Sequence, residues 1–208
     1  GGTGCNIQAH TVGLPASSFF VYQQVYDKNG VPLEGVYVDR NGDGKINNAD
    51  KYFYKSPMAP WTAGFTSKVQ YKQWDFGFSL RASIGNYAYN DLEARSANVS
   101  TVFSKGFLSN RPTYSLQPRW TTDDNVFSDR FVQNGSFLRM ENITLGYSFE
   151  NLLKGARYEG INGRLYVTAS NVFTLTKYKG LDPDVFGGID NNVYPRPFSI
   201  LAGVSLNF

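Results

Sequence analysis

The chain of 208 residues contains one cysteine, Cys5, and one histidine, His10. A single thiol excludes an internal disulfide and leaves the redox compartment unread. A single imidazole in a polar N-terminal segment, with no serine, cysteine or aspartate arrangement near it, gives no basis for a catalytic constellation. Carboxylate pairs occur at Asp123 with Asp124 and at Asp182 with Asp184, in loops rich in Gly, Asn and Pro. Such pairs read as solvated loop charge, because a glycosidase needs two acids set apart across a sugar. No apolar run approaches the roughly 18 residues of a membrane helix. Lys and Arg are scattered at a net charge of +3, so there is no nucleic-acid footprint and no nucleic acid is expected as a partner. The chain opens Gly-Gly, without Met or signal peptide, and is expected to be a piece of something longer.

What is abundant is glycine (21) together with tyrosine (14) and phenylalanine (16), which favours strands joined by turns. In "WDFGFSLRASIG" (74–85), Trp74, Phe76, Phe78, Leu80, Ala82 and Ile84 share one parity, against Asp75, Gly77, Ser79, Arg81, Ser83 and Gly85. This period of two marks a strand with one apolar and one polar face. "PFSILAGVSLNF" repeats it, with Phe198, Ile200, Ala202, Val204, Leu206 and Phe208 on one face and Leu201 as the exception on the other. "GRLYVTASNVF" (163–173) and "TAGFTSKVQYK" (62–72) alternate in the same way. In "SFLRMENITLGYSF", Ile143, Leu145, Tyr147 and Phe149 align, but Arg139 and Glu141 fall on their parity. The N-terminal end of this strand is therefore expected to project beyond any apolar zone. "SSFFVYQQVY" (17–26) supplies a sixth strand of ambiguous register.

The expected strands are thus 17–26, 62–72, 74–85, 136–149, 163–173 and 197–208. Their connections alternate between short ones and long ones, the long ones at 27–61, 86–135 and 174–196. Tight turns at one end and large loops at the other are the asymmetry of a bacterial transmembrane barrel. A β-sandwich with large insertions also alternates and stands as the other architecture. Strand lengths near those of a tilted crossing, and aromatics near the strand ends, favour the barrel.

The first long connection contains "DRNGDGKINNAD". Asp39, Asn41, Asp43, Lys45, Asn47 and Asp50 occupy positions one, three, five, seven, nine and twelve of a calcium loop, with Gly44 at the turning sixth position. Alternate oxygens at this spacing wrap one hard cation, with Lys45 offering its carbonyl. Asp50 stands where a bidentate Glu is usual. Ile46 is expected to pin the loop to a surface. The prolines in "KYFYKSPMAPW" exclude the flanking helix of a calcium sensor, so calcium would act here as a structural clip. A metal-free Asx-turn loop is the other reading.

Taken together, "GLPASSFFVYQQVYDKNGVPLEGVYVDRNGDGKINNADKYFYKSP", "YKQWDFGFSLRASIGNYAYN", "SDRFVQNGSFLRMENITLGYSF", "NVFTLTKYKGLDPD" and "YPRPFSILAGVSLNF" resemble the C-terminal part of SusC/RagA-type TonB-dependent outer-membrane transporters of Bacteroidota. The resemblance implies an all-β segment, the last six strands of a 22-stranded transmembrane barrel with long extracellular loops. It implies import of glycans or oligosaccharides, with peptides as the other cargo, under a SusD-like surface lipoprotein. Energy would come through TonB by way of an N-terminal plug and TonB box that these residues lack. Phe208 would be the terminal aromatic read by the barrel-assembly machinery. The loops, including the calcium loop, would be extracellular, the C-terminus periplasmic, and the strands in outer-membrane lipid of a Gram-negative cell. Asp75, Ser79 and Arg81 are the expected lumen-facing residues, and Trp61 and Trp120 candidates for stacking on sugar or on the lipoprotein. A calcium-stabilised extracellular binding or adhesion module is the competing function.

Overall fold

The computed structural model describes residues 6–96, 106–107, 127–152, 160–191 and 194–207. The strands are β1 (Gln8–Ala9), β2 (Ser18–Val21), β3 (Gln24–Tyr26), β4 (Pro32–Tyr37), β5 (Tyr52–Phe53), β6 (Trp61–Tyr71), β7 (Trp74–Ile84) and β8 (Tyr87–Asn90). The short helix α1 (Asp91–Ser96) follows, and then β9 (Val132–Asn134), β10 (Phe137–Leu152), β11 (Ile161–Thr176), β12 (Ile189–Asp190) and β13 (Ser199–Asn207). The chain divides into two units.

One unit, residues 61–84, 137–176 and 195–208, contains the long strands. They form a single antiparallel sheet in the order β13-β11-β10-β7-β6. Alternation in the sequence becomes two chemically distinct faces. On the apolar face the rows cross the strands as Tyr71, Trp74, Tyr147, Leu165 and Val204, and as Val69, Phe76, Leu145, Val167 and Ala202. Aromatic pairs lock this register: the rings of Trp74 and Tyr147 lie 4.9 Å apart, and those of Phe65 and Phe78 5.8 Å. Yet among the described residues the face packs on nothing. Trp61, Tyr71 and Ile200 are 73%, 69% and 66% exposed. A sandwich would bury these side chains against a second sheet.

β10 departs from simple alternation. Its register against both neighbours shifts between Met140 and Asn142, so Glu141 is a bulge residue. The bulge resets the parity. Met140 and Leu138 fall opposite Leu80 and Ala82 and extend the apolar face, while Arg139 falls opposite Arg81 on the polar one. The expected projection of this strand end beyond the apolar zone is thereby corrected: an extra residue, invisible to a period of two, carries both charges to the polar side.

The other unit comprises residues 1–60, 85–136 and 177–194. It turns its apolar side chains inward. Ile7, Phe19, Val21, Tyr89, Ala94, Phe131 and Val132 form its core. Three small sheets surround that core: β1-β2-β5, β12-β8-β9 and the hairpin β3-β4. Residues 17–26 belong here and not to the large sheet. They break at Tyr22–Gln23 into β2 and β3, which pair with different partners. Phe19 and Val21 are fully buried, which explains their apolar character without any barrel strand.

Candidate functional site

The polar face of the five-stranded sheet carries Lys68, Asp75, Arg81, Arg139, Glu141 and Arg164. Asp75, Ser79 and Arg81 alternate along β7 and share this face with Thr66, Asn142, Thr144, Arg164 and Thr168 of the neighbouring strands. Their polar groups pair across strands. Arg81 Nε donates to Glu141 Oε1 at 2.7 Å, Thr66 Oγ1 lies 3.1 Å from Ser79 Oγ, and Thr144 Oγ1 lies 2.8 Å from Thr168 Oγ1. Arg139 Nε donates to Thr174 Oγ1 at 2.9 Å, and the guanidinium groups of Arg81 and Arg139 both lie 5.0 Å from the Phe137 ring centroid.

The most extended of these links spans two strand steps. Arg164 on β11 donates from Nε to Asp75 Oδ2 at 2.8 Å and from Nη2 to Asp75 Oδ1 at 2.5 Å, with β10 lying between. Gly146 makes this possible. It sits opposite Asp75, and a Cβ there would collide with Asp75 Oδ2 and with the Arg164 guanidinium. Arg164 also lies 5.1 Å from the Tyr166 ring centroid. Tyr166 in turn leans over Gly203, where a Cβ would meet its ring. Glycine at these two places leaves the space into which larger polar groups lie across the sheet. Paired in this way, the charges are held as a fixed polar surface, and Lys68, Asp75, Ser79, Asn142 and Arg164 line a recess of about 250 Å³.

Sequence reasoning named Asp75, Ser79 and Arg81 and missed Arg164, Glu141 and Gly146. Arg164 and Gly146 lie on the polar parity of their strands, which was the available signal. Glu141 had no such signal, because its placement depends on the bulge. Trp61 opens β6 on the apolar face, opposite Ile84. Phe208, Trp120, Asp123 and Asp124 lie outside the described residues.

The 39–50 loop belongs to the other unit. Asp39 Oδ1 accepts from Gly42 N and Oδ2 from Gly44 N, both at 2.7 Å, and Gly44 takes the left-handed φ of 76°. Asn41 Oδ1 accepts from Asp43 N at 3.0 Å, and Asp43 Oδ1 from Lys45 N at 2.8 Å. Asn47 and Asp50 form a capping box on one turn of 3-10 helix, where Asn47 Oδ1 accepts from Ala49 N and Asp50 Oδ2 from Asn47 N, both at 2.8 Å. Asp50 Oδ1 accepts from Arg40 N at 3.0 Å and Asn41 N at 3.5 Å. Asp50 is fully buried, and these amides, that of Asn47 foremost, hold its carboxyl below the usual carboxylate range.

The donor set tests the fit of a calcium ion. Oxygens at Asp39, Asn41, Asp43 and Asn47 have the right chemistry. Asp50, needed at the twelfth position, has both oxygens turned onto backbone amides. No three acidic side chains converge among the described residues. Asp39 and Asp50 each accept backbone N–H groups on both oxygens, and each carboxylate keeps further lone pairs that a cation could take. Ile46, expected to pin the loop to a surface, is 44% exposed; the loop is anchored instead by Asp50 and by Lys51, whose Nζ donates to Asn6 O at 3.3 Å.

Comparison with known proteins places this arrangement in context. The chain is 52% identical over its whole length to the TonB-dependent receptor SusC of Bacteroides thetaiotaomicron, of which the match covers 21%. It is 32% identical, over 76% of its length, to the TonB-dependent receptor P3 of Formosa agariphila, covering 16% of that protein. Its fold matches 23% of a chain in the solved RagAB peptide transporter with a TM-score of 0.70, over 92% of this chain at 24% identity. No protein-family profile matches. The chain therefore spans about a fifth of the length of the curated relatives.

Proposed function

The chain belongs to the SusC/RagA-type TonB-dependent receptors, and we propose that it forms part of the wall and rim of an outer-membrane barrel that imports large nutrients. The observation that carries this reading is the two-faced sheet. Its apolar residues are exposed while its charges are paired on the opposite face. Lipid would cover the first face, and water in the passage the second. The unpaired edges of β6 and β13 would be closed by further strands of the longer protein, as hydrocarbon requires. The long connections would lie outside the cell and the C-terminus in the periplasm.

The cargo we propose is a glycan or oligosaccharide, delivered under a SusD-like lipoprotein, with TonB acting through a plug elsewhere in the protein. A peptide cargo is the second reading, because a structural relative is a peptide transporter. A calcium-stabilised adhesion module is not favoured, since the sequence relatives are TonB-dependent receptors. In this role Asp75, Ser79, Arg81, Glu141 and Arg164 are wall residues that hold charge in place and perform no bond-making step.

The test is deletion of the full-length gene, followed by growth on oligosaccharides or on peptides as sole carbon source. Loss of growth on one class of oligosaccharide, restored by the intact gene but not by a copy lacking the TonB box, is expected. A defect confined to peptides would overturn the glycan reading.

A further inference from the structure

We propose that the cleft lined by Tyr26, Glu93, Arg130, Gln133, Lys177 and Lys179 holds an oxyanion carried by an acidic oligosaccharide, either a uronate carboxylate or a sulfate ester. This rests on the glycan reading above and narrows its substrate class. The cleft has a volume of about 460 Å³, within the range of small-ligand sites.

Its floor is fixed by a buried network. Glu93 is 8% exposed, its backbone N–H donates to Asn90 Oδ1 at 2.9 Å, and its Oε2 accepts from Asn90 Nδ2 at 3.3 Å and from Gln133 Nε2. Gln133 Oε1 accepts the backbone N–H of Lys179 at 3.3 Å, which ties the segment after β11 to that floor.

The same segment is pinned on its other side. Tyr178 is 7% exposed, and its hydroxyl donates to Oδ2 of the fully buried Asp190 at 2.9 Å. Gly180 leaves the room, because a Cβ there would meet both Asp190 and the Tyr178 ring. With Tyr178 turned inward between them, Lys177 and Lys179 remain exposed and both line the cleft.

Charge decides the ligand. The one carboxylate among the described lining residues, Glu93, lies 4.0 Å from Arg130. Neither Lys177 nor Lys179 has an ion-pair partner among the described residues. Two lysines on one anchored segment, beside a neutralised floor, leave a surplus of positive charge that an anion compensates. Beside Val31 and Pro32, the lining offers the amides of Gln133 and Asn134 and the half-exposed phenol ring of Tyr26, groups that a hydroxylated sugar can use.

The experiment uses the full-length protein in detergent and isothermal titration with four probes. These are a neutral oligosaccharide, a uronate-bearing one and a sulfated one of equal length, and an acidic peptide. The wild type is compared with Lys177→Gln/Lys179→Gln. Tighter binding of at least one acidic sugar, by about tenfold, is expected at low salt; the margin over the neutral sugar should shrink with salt and vanish in the variant. The uronate and sulfate arms identify which oxyanion is held. Equal affinity for neutral and acidic sugars, or a margin that survives in the variant, overturns the proposal while leaving glycan import standing. Lysine-dependent binding of the peptide alone overturns both.

Discussion

Arg164 reaches Asp75 across an intervening strand, with contacts of 2.8 and 2.5 Å, and it does so over the bare backbone of Gly146. Two oppositely charged side chains on non-adjacent strands thus depend on the absence of a third side chain. Gly146→Ala in the full-length protein should push the pair apart and lower barrel stability by about 1–3 kcal/mol, the scale of overpacking. Arg164→Ala should cost less, about 1 kcal/mol, because the Arg164 side chain is 36% exposed and water replaces part of its contact. Heat-modifiability on gels measures both. A Gly146→Ala protein that unfolds at the wild-type temperature would show that the pair does not need the gap.

The register of the sheet makes a sharper prediction. Phe78 and Ser79 are consecutive on β7 but face opposite ways, Phe78 between Ser67 and Ile143, Ser79 between Thr66 and Asn142. If the proposed barrel reading holds, Phe78→Arg would place a guanidinium in hydrocarbon, at about 2–4 kcal/mol near the midplane, and Ser79→Arg would place the same group in the aqueous passage. Assembly into the outer membrane, read by surface labelling, should fail or fall steeply for the first and persist for the second. The reverse ranking would exchange the faces and remove the basis of the transport reading.

The large sheet was legible because alternation holds without exception along β7 and with few exceptions along β6, β11 and β13, among them Ser67, Asn171 and Leu201. Arg139 was misread because Glu141 is a bulge, and a bulge changes parity without changing composition. Residues 17–26 were misread for a related reason. Phe19 and Val21 are as apolar as a lipid-facing pair, and only their burial in a protein core distinguishes them. The recess on the polar face was half legible: Asp75 stands out as a charge within an apolar strand, whereas Gly146 acquires meaning only when Arg164 and Asp75 meet over it. The acidic loop was legible as a loop. Its spacing did not reveal that Asp50 would serve backbone amides, because the same carboxylate satisfies either partner.

Tyr178 and Asp190 form the anchor of the segment after β11. Burial, and next the charge of Asp190, push the Tyr178 phenol above its ordinary value. That shift favours the protonated, donating form of the phenol. Among the described residues, Tyr178→Phe would leave Asp190 Oδ2 with only the Leu181 N–H at 2.8 Å, in a side chain whose Oδ1 has no hydrogen bond there. Loss of about 1–3 kcal/mol in local stability is expected, read as faster amide exchange through residues 177–182. Unchanged exchange there would mean that the phenol does not hold the segment.

Asp50 gives the loop its pH dependence. Its folded carboxyl titrates below the unfolded value of about 4, so the ionised form is the one that folding favours. The stabilisation is complete above that unfolded value and is lost as pH falls through the lower folded value. Protease cleavage within 39–50 should therefore be slow at pH 7 and accelerate only under distinctly acidic conditions. Asp50→Asn should remove this dependence and open the loop at neutral pH, because a neutral amide is a weaker acceptor for the amides of Arg40, Asn41 and Asn47. Chelation separates this closure from a calcium clip. If the amides suffice, removing calcium leaves wild-type cleavage unchanged. Faster cleavage on chelation, reversed by added calcium, would instead make the loop a calcium clip with Asp50 among its ligands.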